Sequence, residues 1–140
     1  MIQRKQYRKN QRGNAIIEAT LTLSLFLTVL FSIYDFGWIL FFHQTLVHQA
    51  RTGARYAAVN PASLDSAKNI VLYNQTSNLG GAGILGIAPS TVTVSRTGTA
   101  GAIDDRVIVT ISGYQYNIIT LGWAGTYNGK TIAVSMPVEN

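Results

Sequence analysis

Between Ala19 and Phe42 the chain runs for 24 residues with Asp35 as its single ionisable side chain. No other feature restricts the fold as tightly. As a helix, that run rises ~36 Å at ~1.5 Å per residue, against a hydrocarbon core ~30 Å thick. It predicts a helix that crosses a membrane with some tilt. The run is apolar all round, as a lipid-facing helix is.

A carboxylate stands at the mouth of this helix. Glu18 follows Gly13 by five residues, in Arg12-Gly13-Asn14-Ala15-Ile16-Ile17-Glu18. An acid at the centre of a membrane helix costs about 2.5–3.5 kcal/mol, and less near an end. Such a residue points to a role that offsets the cost. One reading is pairing with a cation in an assembly. The other places Glu18 at the membrane surface, favoured by the positive end of the helix dipole.

The net charge of +5 is local to the start of the chain. Arg4, Lys5, Arg8, Lys9 and Arg12 carry five positive charges before Gly13, and the remaining six Lys/Arg face six Asp/Glu. A basic block directly before an apolar helix is a topology signal rather than a nucleic-acid site. It predicts residues 1–13 in the cytoplasm and residues after about 45 across the membrane. The chain has no cysteine. Disulfide staples, a thiolate nucleophile and a Cys-ligated metal are excluded.

Four parts follow from the patterning: a basic leader (1–13), a long helix (14–59, its membrane part about 19–42), a short second helix, and strands. The last two make a small α+β domain over 60–140. Beyond Phe42 the long helix turns amphipathic. Leu46, Ala50, Gly53, Ala54 and Ala57 recur at intervals of three and four, forming one stripe of mostly small residues. Asn60-Pro61 ends the helix, because a residue before proline is pushed out of helical angles. Ser63 is the expected cap of a second helix reaching about Asn74. A Gly-rich loop occupies 78–83.

From about 91 the period becomes two. Thr91–Ser95, Val107–Ser112 and Thr131–Val138 read as half-buried antiparallel strands. Gly98–Asp105 joins the first two. Asn128-Gly129 reads as a hairpin turn, preceded by a strand over Leu121–Tyr127. The fold class is α+β: a long N-terminal helix whose outer half packs on a small antiparallel sheet. Some 80 residues without disulfides make a small core, and docking on the small-residue stripe would complete it.

Three stretches together resemble a known family. Arg12-Gly13-Asn14-Ala15-Ile16-Ile17-Glu18-Ala19, then Asp35-Phe36-Gly37, then Ala50-Arg51-Thr52-Gly53-Ala54-Arg55-Tyr56-Ala57-Ala58, are similar to the TadE/TadF family of tight-adherence (Tad) pilus pseudopilins. The resemblance implies a pilin-like fold and insertion into the bacterial inner membrane as a single pass. It implies cutting by a prepilin peptidase between Gly13 and Asn14. It also implies membership of a Tad (type IVc) pilus used for attachment, with other pilin or pseudopilin subunits as partners through the helix. Asn14 departs from the aromatic residue that pilins at large carry after the cut. An uncleaved single-pass scaffold of the pilus or secretion machine is the alternative. A secreted domain behind an ordinary signal peptide, with Ala57-Ala58 as cleavage site, fits less well. Its apolar segment would far exceed the usual ~7–15 residues.

The other candidate positions lie on the same helix. Asp35 is a candidate contact for a partner's cation or lipid, or else a carboxylate snorkelling beside Tyr34 and Trp38. Arg51 and Arg55, four apart on one face, are candidates for lipid phosphates or an acidic partner, or else solvate the helix. Gly81-Ala82-Gly83-Ile84-Leu85-Gly86 spells G-x-G-x-x-G but lacks the strand before and the helix after that a dinucleotide site needs. It reads as a flexible loop. His43 and His48 are five apart without a third ligand, which argues against zinc. Asp104-Asp105 reads as a solvated inter-strand turn. No Ser/His/acid set is suggested, so the sequence points to no enzyme, no metal and no cofactor.

Overall fold

The structure, a computed structural model, describes residues 11–118 and 125–139. Helix α1 spans Gln11–Val59, 49 residues, or ~73 Å of rod. It has no internal proline and stops where Pro61 forbids continuation. Helix α2 covers Leu64–Tyr73. Asn74 closes it in the left-handed region, φ 56°, its N–H donating to Ile70 O at 2.9 Å. At the other end Ser63 holds the cap position, but its hydroxyl makes no capping hydrogen bond. The expected side-chain cap is therefore absent. The Ser63 carbonyl instead receives the Ala67 N–H in the first turn, at 3.1 Å.

Two short 3₁₀ turns, Ile84–Gly86 and Pro89–Thr91, lead into the strands. These are β1 (Val92–Thr97), β2 (Arg106–Ile111), β3 (Gln115–Ile118), β4 (Gly125–Asn128) and β5 (Ile132–Pro137). β1, β2 and β5 form an antiparallel sheet with β2 in the centre, and β3 and β4 form a separate two-stranded ribbon. β2 takes the central place because Val107-Ile108-Val109-Thr110-Ile111 is an unbroken β-branched run. Its register sets Val109 opposite both Val94 and Val134.

The sheet lies on the outer half of α1. Leu46, Ala50, Gly53, Ala54 and Ala57 are all buried, as their spacing predicts. Ala50 and Ala54 share one apolar cluster with Val71, Val92, Val109 and Ile111. Ala57, Ala67 and Val107 form a second, smaller cluster. The last strand ties back to the helix end, where the Glu139 N–H donates to Ala58 O at 3.0 Å.

The Asn128-Gly129 hairpin is not formed. β4 pairs with β3, whereas β5 pairs with β2. Neither Asn128 nor Gly129 has the positive φ that a type I′ turn requires. Gly129 answers a different need. A Cβ there would enter the Tyr114 ring. The Gly129 N–H donates to Tyr114 O at 2.8 Å, and the Tyr114 hydroxyl donates to Lys130 O at 3.0 Å. The glycine lets the chain cross from ribbon to sheet beneath an aromatic ring. Of the strand expected over Leu121–Tyr127, residues 125–127 lie in β4 and the rest falls outside the described residues.

At Gly53 helix α1 approaches α2 closely. A Cβ there would collide with Val71 Cγ2 and lie 3.1 Å from Ala67 O. Val71 is fully buried and β-branched, so it cannot swing aside. Gly53→Val is expected to destabilise the domain by about 1–3 kcal/mol despite removing a helical glycine. Thermal or denaturant unfolding of the detergent-solubilised chain measures this. Unchanged stability would show that the two helices are not in tight contact.

Candidate functional site

The candidate site is the exposed length of α1. Nearly every side chain from Gly13 to Tyr34 is exposed, including Ile16, Ile17, Leu21, Leu25 and Phe26. The helix is long and apolar enough to cross a membrane, and its most apolar window buries nothing against the protein. Water would not tolerate a surface of this extent on a free chain. Three of the hydroxyls within it are satisfied along the helix itself. The hydroxyls of Thr20, Thr28 and Ser32 donate to the carbonyls four residues earlier, each at 2.8 Å. Such bonds let a hydroxyl enter hydrocarbon without an unmet donor.

The acids and bases singled out in the sequence do not converge. Gly13, Asn14 and Glu18 are exposed at the inner end of the rod. Among the described residues Glu18 makes no ion pair. Asp35 lies ~26 Å further along and Arg51 ~24 Å beyond that. Arg51 and Arg55 are exposed on the outer half, on the side of α1 away from the buried stripe. A chain of single charges along a rod is not a catalytic constellation. It suits contacts with things that lie beside the rod.

Asp35 differs from the others. It is 5% exposed, covered by the domain rather than open at a membrane surface. The β3–β4 ribbon reaches the same stretch of α1. Phe42 stacks on Tyr114, ring centroids 5.8 Å apart, and meets Tyr116 at 6.5 Å. Tyr116 in turn stacks on its cross-strand partner Tyr127 at 6.3 Å. This aromatic column carries the ribbon along α1 towards Asp35. Tyr34, Asp35, Trp38, Phe42 and Tyr116 then enclose part of a cavity of 320 Å³.

His43 and His48 do not share a site. His43 Nδ1 lies 3.4 Å from the Tyr114 hydroxyl, while His48 is exposed. Burial, with Tyr116 alongside, raises the Tyr114 phenol above its ordinary value. Among the described residues no group of three His, Asp or Glu is placed to hold a metal. The G-x-G-x-x-G stretch follows α2 and leads through 3₁₀ turns into β1. It has neither the strand nor the helix of a dinucleotide site. It is a connecting loop with positive φ at Gly81 and Gly86.

Asp105 is a correction to the solvated turn. It is 2% exposed and accepts Arg96 Nε at 2.7 Å, a second guanidinium donor on its other oxygen, and the Gly101 N–H at 2.9 Å. Asp104 alone stays exposed. The pair fixes the β1–β2 loop, in which Gly98 at φ 90° passes so close to the Asp104 carbonyl that no side chain fits. Spacing held a clue. Asp105 has the parity of buried Val107, Val109 and Ile111, and Arg96 that of Val92 and Val94.

With this geometry in place, comparison with known proteins identifies the rod. The described residues form a pilin-like α+β fold with one long N-terminal apolar helix. The model of the family described as TadE-like protein matches residues 13–55. That span holds Gly13, Asn14, Glu18, Asp35, Arg51 and Arg55, and the sheet lies outside it. The TadE resemblance is thus borne out over the helix and associates the chain with Tad pili, and among the described residues one helix is long and apolar enough to cross a membrane. No curated protein and no solved structure matches.

The Arg96 donors and the Gly101 N–H hold the Asp105 carboxyl down to about 2, from 3.8. A depressed acid stabilises the fold above its unfolded value and loses that contribution as pH falls through the folded one. Domain stability is therefore expected to decline between about pH 4 and pH 2. In Arg96→Gln the decline is expected to be smaller, because the folded carboxyl is less depressed and lies nearer its unfolded value. Denaturant unfolding across that range checks this. Identical acid profiles for both chains would contradict the role given to the pair.

Proposed function

We propose that this chain is a minor pseudopilin of a Tad (type IVc) pilus, cut by a prepilin peptidase between Gly13 and Asn14. It then takes part in pilus biogenesis and surface attachment through its helix. The observation that carries this reading is an exposed apolar rod beginning at Gly13, with Glu18 four residues above the proposed new terminus. A rod of this kind needs a bilayer before assembly and neighbouring helices after it.

Burial supports a lipid-facing segment shorter than the whole apolar run. Asp35 and Phe42 are covered by the domain, so the rod is free on all sides only below them. We place the hydrocarbon span at about residues 14–34, ~31 Å of helix, which matches a bilayer core. The basic leader then sits in the cytoplasm and the domain on the far side. Glu18 lies about one turn inside.

Cutting after Gly13 would leave an α-amino cation on Asn14. Two opposite charges ~4 Å apart attract by ~4 kcal/mol at an effective dielectric of 20. Between adjacent helices such a pair sets axial register, as buried polar groups do in helical bundles. Arg51 and Arg55, exposed beside the domain, supply a second, cationic contact for acidic partner surfaces.

Mass spectrometry of sheared surface filaments is expected to yield a peptide beginning at Asn14. A chain retaining residues 1–13 in cells would favour the uncleaved scaffold. Glu18→Ala is expected to insert and be cut as the parent is, but to enter filaments poorly. Normal incorporation of that variant would remove the register role.

A further inference from the structure

We propose that copies of this chain join edge to edge, β5 of one lying parallel to β1 of the next, so that their sheets become continuous. That both rods point the same way rests on the membrane placement given above; the two edges do not. The sheet order β1-β2-β5 leaves β1 and β5 with one open side each. The Ser112 N–H donates to Thr91 O at 2.9 Å, and the Val138 N–H to Asp105 O at 3.0 Å. Hydrogen-bonded positions alternate along an antiparallel ladder. With the registers on either side of β2, this turns the N–H and C=O of Val94 and Arg96 outward from β1, and those of Ala133 and Ser135 outward from β5. Among the described residues these backbone groups have no hydrogen-bond partner. Such an edge is a template for another strand, and β1 has neither the proline nor the bulge that blunts one.

Strand direction selects the occupant. Val92, Ile111 and Ile132 share a cluster with Phe42 and Leu46, whereas Val107 packs with Ala57. β1 and β5 therefore both run up α1, and β2 runs down it. Two like edges meeting about a two-fold axis would pair antiparallel and invert one rod, which a shared bilayer forbids. β5 of a second copy arrives parallel, with its rod upright. Its pleat matches as well. With Val134 opposite Val94, both half-buried, the two side chains point to one face. The Val94 N–H then meets Ala133 O, the Ser135 N–H meets Val94 O, and the Arg96 N–H meets Ser135 O, as a parallel ladder requires. Charge agrees with this arrangement. A groove of 220 Å³ beside β1 is lined by Leu64, Asp65 and Lys68 of α2 with Thr93 and Val94. Asp65 is exposed there and Lys68 half-buried. On the β5 side, Arg55 and Arg51 stand three and seven residues before Ala58 and share its side of the helix. Ala58 is tied to Glu139, just beyond β5. The exposed arginines of one copy thus face Asp65 of the next. The contact is heterologous and repeats from copy to copy. Anchoring in one membrane raises the effective concentration, so a short ladder suffices.

The chain has no cysteine, so introduced thiols report alone. Ser95 and Ser135 are exposed, and the joint sets them side by side. Full-length Ser95→Cys and Ser135→Cys chains, differently tagged, are mixed in vesicles of phosphatidylethanolamine and phosphatidylglycerol and treated with a short bis-maleimide. A product linking the two tags is expected, several-fold above that of Ser95→Cys mixed with Ser77→Cys, an exposed position in the loop after α2. Asp65→Arg in the Ser95→Cys chain is expected to lower the yield about two- to fivefold, the range of an exposed ion pair. Arg51→Glu with Arg55→Glu in the Ser135→Cys chain is expected to restore it. A yield no higher than the Ser77 control overturns the joint. So does linking of Ser95→Cys to itself, which marks paired β1 edges. An unchanged yield in Asp65→Arg overturns the assignment of the charges. Flotation of the vesicles reads the membrane placement separately: cross-linking among chains that do not float keeps the joint and removes the placement.

Discussion

The packing of the sheet and α2 on the small-residue stripe of α1 is the contact on which this molecule depends. Ala50, Gly53, Ala54 and Ala57 let two layers approach the helix backbone closely. The rest of the domain has little else to fold around. With the stripe removed, Val71, Val92, Val107, Val109 and Ile111 would lose a wall of their core. A three-stranded sheet with one short helix and no disulfide is marginal alone. The helix is therefore part of the domain as well as its anchor.

The same helix serves two solvents. Below Asp35 it presents branched and aromatic side chains on all sides; above Phe42 it presents a narrow buried stripe with Arg51 and Arg55 outside it. The change occurs within about two turns, where the β3–β4 ribbon reaches the helix through Phe42, Tyr114 and Tyr116. A two-stranded ribbon has little stability of its own. Its aromatic column and the cross-strand bonds Thr126 to Asn117 and Gln115 to Asn128 hold it in place. Gln115, Tyr116 and Asn117 of that ribbon line the same cavity as the acid which the apolar pattern leaves unexplained.

Much of this architecture was legible from periodicity. The helix, its end at Asn60-Pro61, the stripe and the three sheet strands follow from intervals of 3.6 and 2. What was not legible depended on which strand meets which. Asn128-Gly129 has the composition of a tight turn, yet a tertiary contact with Tyr114 claims the glycine. β3 is only four residues long and partly exposed, too short for alternation to stand out. Asp35 reads as a surface or partner-facing acid because nothing local reveals that it will be buried in the folded chain. Asp105 reads as solvent-facing because it falls in an inter-strand turn, although strand parity argues otherwise. The rod's inner end is the reverse case. Gly13, Asn14 and Glu18 are visible as a pattern, and their described surroundings add only exposure.

The absence of an internal proline in α1 has a mechanical consequence. Hydrogen bonding runs unbroken along the described helix from Gln11 to Val59, and kinks without proline, glycine pairs or bulges are uncommon. Val59 is followed at once by a turn into α2, and Glu139 is bonded to Ala58. Both ends of the domain are thus tied to the top of the rod, while the ribbon grips it near the middle. Displacement of the helix along its axis would carry the domain with it rather than bend a linker. A polar pairing at Glu18 that sets the height of one helix against the next would thereby set the height of the domains as well. In such a chain axial register is decided at one end and expressed at the other, some 60 Å away along the helix.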